Sequence, residues 1–141
     1  MTEIIDPNDV YHLLRNVLDG LPPGTAKLER DDKWGRSQLT PTRTGAGWLY
    51  GVGNVDDCEI GIVEITHSHF DNREEAIEFC RAVVCGEVEY TIWRDGAQVV
   101  RAQRNYKPLP DGGKKVDVME ALSRTPEKEL RKEIVRFSPW V

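Results

Sequence analysis

The stretch Asp71-Asn72-Arg73-Glu74-Glu75-Ala76-Ile77-Glu78-Phe79-Cys80-Arg81-Ala82-Val83-Val84-Cys85-Gly86-Glu87-Val88-Glu89-Tyr90-Thr91-Ile92-Trp93-Arg94-Asp95-Gly96 contains a change of hydrophobic period that decides the fold. Ala76, Ile77, Cys80, Val83 and Val84 recur at helical spacing, so a helix is expected over 73–85 with these residues on its buried side. Asp71 with Glu74, or Asn72 with Glu75, supplies cap-to-third-position spacing at its start, and Gly86 supplies the stop. From Val88 the period drops to two. Val88, Tyr90 and Ile92 alternate with Glu89, Thr91 and Trp93, which predicts a strand with one buried face. Asp95-Gly96 then turns the chain into a return strand carrying Val99, Val100 and Ala102.

Upstream, Val10, Leu13, Leu14, Val17 and Leu18 draw one apolar stripe along a predicted helix from about 7 to 19, with Asp6 placed to cap it and Pro7 at its first position. Gly20 and Pro22-Pro23-Gly24 end it. Between Thr25 and Asp57 the apolar points are short and broken, which predicts a β-meander with Gly45-Ala46-Gly47 as a turn. Ile60, Ile62, Val63 and Ile65 form the most apolar strand, expected at the centre of the sheet and running into a strand-to-helix connection at residues 66–72. Downstream, 107–115 reads as a surface loop by composition. Val118, Met119 and Leu122 can support a short helix, Thr125-Pro126 can open another that carries Leu130, and Ile134 to Trp140 can form a last strand. The element order predicts a single α+β domain over 1–141, mainly an antiparallel sheet with helices packed on one face. The passage from Ile60 to Trp93 is expected to add one parallel neighbour through a right-handed crossover.

Composition narrows the functional classes. The chain has 141 residues, with 19 Lys plus Arg against 24 Asp plus Glu, a net charge of −5. That is the wrong sign for a domain held on nucleic acid by phosphate contacts, and it favours basic partners. The imbalance is uneven, at −7 over residues 1–106 and +2 over 107–141. No apolar run approaches a membrane span, and the first residues lack the pattern of a signal peptide, so a cytoplasmic location is expected. Cys58, Cys80 and Cys85 are odd in number with no CxxC pair, which suits a reducing compartment and thiols that pack as small hydrophobes.

Thr66-His67-Ser68-His69-Phe70-Asp71 resembles the opening of the metallo-β-lactamase-fold signature, a hydrophobic strand ending in Thr followed by His-x-His-x-Asp-His. The resemblance implies a metal held by His67, His69 and Asp71 and hydrolysis by metal-bound hydroxide. The pattern is incomplete, because Asn72 stands where the family has a further histidine and no histidine follows His69. The alternative expectation is that both histidines lie on the polar side of the strand-to-helix connection, with Asp71 as a cap. Neither Gly45-Ala46-Gly47 nor Gly51-Val52-Gly53 is followed by the Lys-Ser/Thr of a phosphate loop, and no Gly-x-Ser-x-Gly elbow occurs.

Trp93 falls in opposite phase to Val88, Tyr90 and Ile92; an outward tryptophan beside Arg94 has the character of an interface anchor, and packing under the C-terminal segment is the alternative. Asp71, Glu74, Glu75 and Glu78 belong to the acidic excess of the first 106 residues. In size, charge and α+β layout, the chain resembles small acidic bacterial proteins of the immunity or antitoxin kind, with the segment 66–71 and the Glu-rich helix start as its most recognisable stretch. The resemblance implies a non-enzymatic protein without cofactor, its partner a basic toxin domain held through Trp93, Asp71, Glu74, Glu75 and Glu78. A small metal-dependent hydrolase using His67, His69 and Asp71 is the alternative.

Overall fold

Val10, Leu13, Leu14 and Val17 recur at helical spacing, and in the computed structural model of the protein they form the buried side of α1 (Val10–Asp19). The structure describes residues 5–62, 66–106, 115–120 and 125–141. The cap of α1 is Asp9, whose carboxylate accepts the Tyr11 N–H at 2.9 Å. Asp6, the cap implied by the sequence, instead accepts the Asn8 N–H and closes a separate turn at Pro7. The helix therefore begins at Val10, where the stripe first meets the sheet. A Cβ at Gly51 would stand 3.0 Å from a Val10 methyl, so this glycine permits the close approach of α1 to the third strand.

The meander is five strands long. β1 (Ala26–Asp31), β2 (Arg36–Pro41), β3 (Leu49–Asn54), β4 (Asp57–Ile62) and β5 (Thr66–Phe70) pair antiparallel in chain order. Leu39, Leu49, Ile60 and Ile62 point inward toward the helices and are fully buried. The opposite, outer face carries Arg36, Gln38, Tyr50, Val52, Glu59, His67 and His69, the polar phase of the same alternation. His67 and His69 thus lie within edge strand β5 rather than in a connection, because Thr66–Phe70 pairs back along β4 from Ile62.

Asn72 caps α2 (Arg73–Val84), its side-chain oxygen accepting the N–H groups of Glu74 at 2.8 Å and Glu75 at 3.4 Å. The helix buries Ala76, Phe79, Cys80, Val83 and Val84, then delivers the chain to a second sheet in the order β8-β7-β6-β9. Here β6 is Val88–Asp95, β7 is Gln98–Tyr106, β8 is Lys115–Glu120 and β9 is Arg131–Arg136. The hairpin turns at Gly96, with φ +62°, and a bulge at Val100 lets Val99 pair with Arg94 and Arg101 with Trp93. All described strand pairs are antiparallel, which corrects the expected parallel neighbour. The crossover argument fails because β5 intervenes between β4 and α2, and because β6 finds both of its partners further along the chain.

The helix expected around Val118 and Met119 is strand β8, which pairs with the otherwise open edge of the nine-residue β7. The helix expected at Thr125-Pro126 is a single 3₁₀ turn, Glu127–Glu129. The surface loop read at 107–115 lies outside the described residues except for Lys115.

One hydrophobic cluster includes buried residues of α1, α2 and both sheets. Burial of side chains of this size stabilises by about 1.5–3 kcal/mol each. Arg104 of β7 crosses between the sheets, donating to Ser68 Oγ at 2.7 Å while its guanidinium lies 4.5 Å from the Phe79 ring centroid. The C-terminal segment closes the core: Ser138 N–H donates to the Gly45 carbonyl, Trp140 N–H donates to the Val84 carbonyl, and the Trp140 ring is buried. Among the described residues, no helix is long and apolar enough to cross a membrane.

Candidate functional site

Two features of the first sheet concentrate chemistry. The first lies where the β3–β4 turn, the end of β5 and the start of α2 converge. Register fixes it: Glu59 stands opposite His69 and Cys58 opposite Phe70, so Asp57 at the head of β4 comes beside the end of β5. His69 Nε2 hydrogen-bonds Asp57 Oδ1 at 2.5 Å, and its Nδ1 lies 3.3 Å from Asp71 Oδ1. Asp56, at the turn, accepts two bonds from Arg73 of α2, at 2.9 and 2.8 Å. Glu74, Glu75 and Glu78 extend the acidic surface along the first two turns of α2, all exposed.

The electrostatics follow from these contacts. The hydrogen bond to Asp57, reinforced by the charges of Asp71, Asp57 and Glu59, holds the His69 imidazole pKa above its ordinary value against a smaller opposing effect of desolvation. The Arg73 guanidinium holds the Asp56 carboxyl below the usual range. His69 at neutral pH is therefore more cationic than a free histidine, and it sits between two carboxylates.

The predicted set His67, His69 and Asp71 is only partly assembled. His69 and Asp71 meet, while the third member of the group is Asp57; ligand atoms of Asp57, His69 and Asp71 lie within 4.8 Å of one another, and all three residues are exposed. His67 stands one pleat away, opposite Gly61. Asp57 was missed because its proximity depends on hairpin register, and the Asp56-Asp57 pair before an apolar strand was the available signal. A thiol–imidazole pair is ruled out for Cys58 and His67, since Cys58 points into the core and His67 points to solvent. Burial pushes the Cys58 thiol up to about 11 and raises Cys80 further, which keeps both protonated.

The second feature is a groove of about 730 Å³ on the outer face, over β1, β2 and β3. Trp48 and Tyr50 form its floor, with ring centroids 5.8 Å apart. Tyr50 lies across Gly61, where a Cβ would meet its ring at 2.2 Å; only glycine lets the ring settle this low. The Arg36 guanidinium stacks 4.1 Å from the Tyr50 centroid and 5.6 Å from the Trp48 centroid. Trp34, in the β1–β2 turn, stands at the rim with 69% of its surface exposed. In the sequence, the alternation that makes Leu39 and Leu49 inward is the signal that places Arg36, Trp48 and Tyr50 together on the other side.

Trp93 does lie on the outer face of its sheet, yet it is only 8% exposed beside the C-terminal strand β9, which corrects the expectation of an exposed anchor in favour of packing. Arg101 covers its ring at 4.5 Å and Lys132 at 5.8 Å, one from each neighbouring strand. The charged ends of both side chains lie over the indole. The exposed tryptophan is Trp34.

No family model matches the chain, and neither does any curated protein or solved structure.

Proposed function

We propose that this chain is a non-enzymatic protein-binding domain that recognises a basic partner through the acidic corner formed by Asp57, Asp71, Glu74, Glu75 and Glu78. The observation that supports this reading is the convergence of carboxylates from three separate segments, residues 56–59, 71 and 74–78, on one exposed corner. Their nearby cations are Arg73, bound to Asp56, and His69. A basic surface approaching this corner gains long-range attraction, which acts mainly on the association rate. Trp93, buried by Arg101 and Lys132, has no part in the contact. In its finer form, the partner is a toxic effector whose active site the domain occupies, as the likeness to immunity proteins implies.

The test begins with a protein that co-purifies at one-to-one stoichiometry from source cells and is then produced separately. Its association should slow about tenfold or more between low salt and roughly 0.5 M salt, because exposed charges are then screened within about 4–5 Å. The combined variant Asp57→Asn, Asp71→Asn, Glu74→Gln, Glu78→Gln should slow it comparably at low salt. An association rate indifferent to both changes would end the proposal, and stoichiometric loss of the partner's own activity tests the effector reading.

A second reading rests on the grouping of Asp57, His69 and Asp71. Two carboxylates and an imidazole are hard-to-borderline donors suited to a divalent cation, and metal-dependent hydrolysis would now use Asp57 in place of His67. Stoichiometric zinc binding by calorimetry, lost in His69→Ala, would favour it; an absence of saturable binding would remove it.

A further inference from the structure

We propose that the outer-face groove over β1–β3 is a binding site for a planar aromatic monocarboxylate, with Arg36, backed by Tyr50, holding the carboxylate and Trp34 and Trp48 flanking the ring. The site lies toward the opposite edge of the sheet from the acidic corner and does not depend on the proposed partner.

The argument starts from Arg36. Its cross-strand neighbour on the same face is Asp31, an obvious ion-pair partner. Arg36 does not take it. The guanidinium instead lies over Tyr50 and Trp48, its Nε buried without a hydrogen-bond partner, and no carboxylate among the described residues pairs with it. Asp31 is engaged elsewhere, accepting the Lys33 N–H at 3.0 Å, and Glu29 pairs with Lys27 at 3.0 Å. The result is a cation lying over two rings, with Nε closed off and the fork of its two terminal nitrogens uncommitted. A carboxylate matches that fork in two parallel hydrogen bonds.

The rest of the groove selects what carries the carboxylate. Its volume, about 730 Å³, is that of a small-molecule site. Trp48 offers its ring on the floor beside the Arg36–Tyr50 stack, and Trp34 offers another at the rim. A flat aromatic group fits between them, whereas a branched aliphatic group would leave those faces unused. Glu29 and Asp31 at the rim repel further negative charge, so a single carboxylate suits the site better than a phosphate monoester, which carries close to two charges at neutral pH.

The test is titration of the full chain with three probes of one shape: 2-naphthoate, neutral 2-naphthamide and 2-naphthyl phosphate. Binding is read from the indole N–H signals of Trp34 and Trp48, assigned with Trp34→Phe and Trp48→Phe, while buried Trp93 and Trp140 serve as references for an intact fold. The expected result is saturable movement of the Trp34 and Trp48 signals by 2-naphthoate at about 1 mM or below, with the amide about tenfold weaker or worse. Arg36→Gln should weaken 2-naphthoate about tenfold or more and leave the amide unchanged; Arg36→Lys, which keeps the charge without the fork, should fall between. The proposal is overturned by an amide that binds as well as the carboxylate, by Arg36→Gln binding like the parent, or by no saturation. Tighter binding of the phosphate would overturn it as well, because the acidic rim would then not be selecting.

Discussion

Each of the two sheets carries an arginine stacked on tryptophan on its outer face, and the two stacks are finished differently. On the second sheet, Trp93 of β6 is overlaid by Arg101 from β7 and Lys132 from β9, while Arg94 beside it binds Glu133 at 3.1 Å. The cations there come from both flanking strands, their charged ends lie over the indole, and the ring is buried. On the first sheet, Arg36 of β2 lies on Tyr50 and Trp48 of β3, but nothing from β1 closes over the other side, and Trp34 stands out in solvent. The same pair of residue types thus produces a sealed surface where strands flank the aromatic on both sides. It produces an open groove where the next strand contributes the acidic side chains Glu29 and Asp31. Covering, rather than the presence of tryptophan and arginine, distinguishes a packed face from a face able to bind.

The strongest way to break this comparison is through Trp93. Trp93→Ala should destabilise the protein by about 3 kcal/mol in urea denaturation, as removal of a well-buried aromatic does. A loss below about 1 kcal/mol would mean that Arg101 and Lys132 do not bury the ring in solution.

On the open face, Gly61→Ala tests whether Tyr50 is held against the strand. The added methyl displaces the outer end of a ring that can swing, so the cost should be about 1 kcal/mol, at the low end for overpacking. The larger consequence should be a moved Trp48 indole signal, since Arg36 and Trp48 share that ring. An unchanged Trp48 signal would show that the floor of the groove does not depend on this contact.

Trp34→Ala should change stability by no more than about 0.5 kcal/mol, the usual range for an exposed position. Acrylamide should quench Trp34 far more efficiently than Trp93 in single-tryptophan variants. Equal quenching would erase the distinction between the open and the sealed face.

The smallest effect concerns His69, at the β5 edge of the same open sheet. Its pKa in the folded protein should be above the ordinary 6.5, and Asp57→Asn should bring it down toward that value in a proton NMR titration. Because folding raises this pKa, the protonated ring favours the folded state. That contribution is full below pH 6.5 and is lost as pH rises through the raised value. A His69 pKa unaffected by Asp57→Asn would separate the two residues and remove the basis of the corner's local field.

Local pattern along the chain suffices for the two helices, the hairpin at Gly96 and the meander, because each is specified by near neighbours. A stripe at Val10, Leu13, Leu14 and Val17 can be buried only by a helix, and alternation through Val88, Tyr90 and Ile92 only by a strand. Tertiary structure decided three things that local pattern does not encode. It chose the register that brings Asp57 rather than His67 to His69. It supplied Arg101 and Lys132 to cover Trp93, although Lys132 lies 39 positions further along the chain. It also left Arg36 on Tyr50 and Trp48 instead of beside Asp31. Alternation assigns a side chain to a face, but which neighbours share that face depends on strand order, register and the reach of side chains across strands, and these are fixed only when the sheets assemble on their common core.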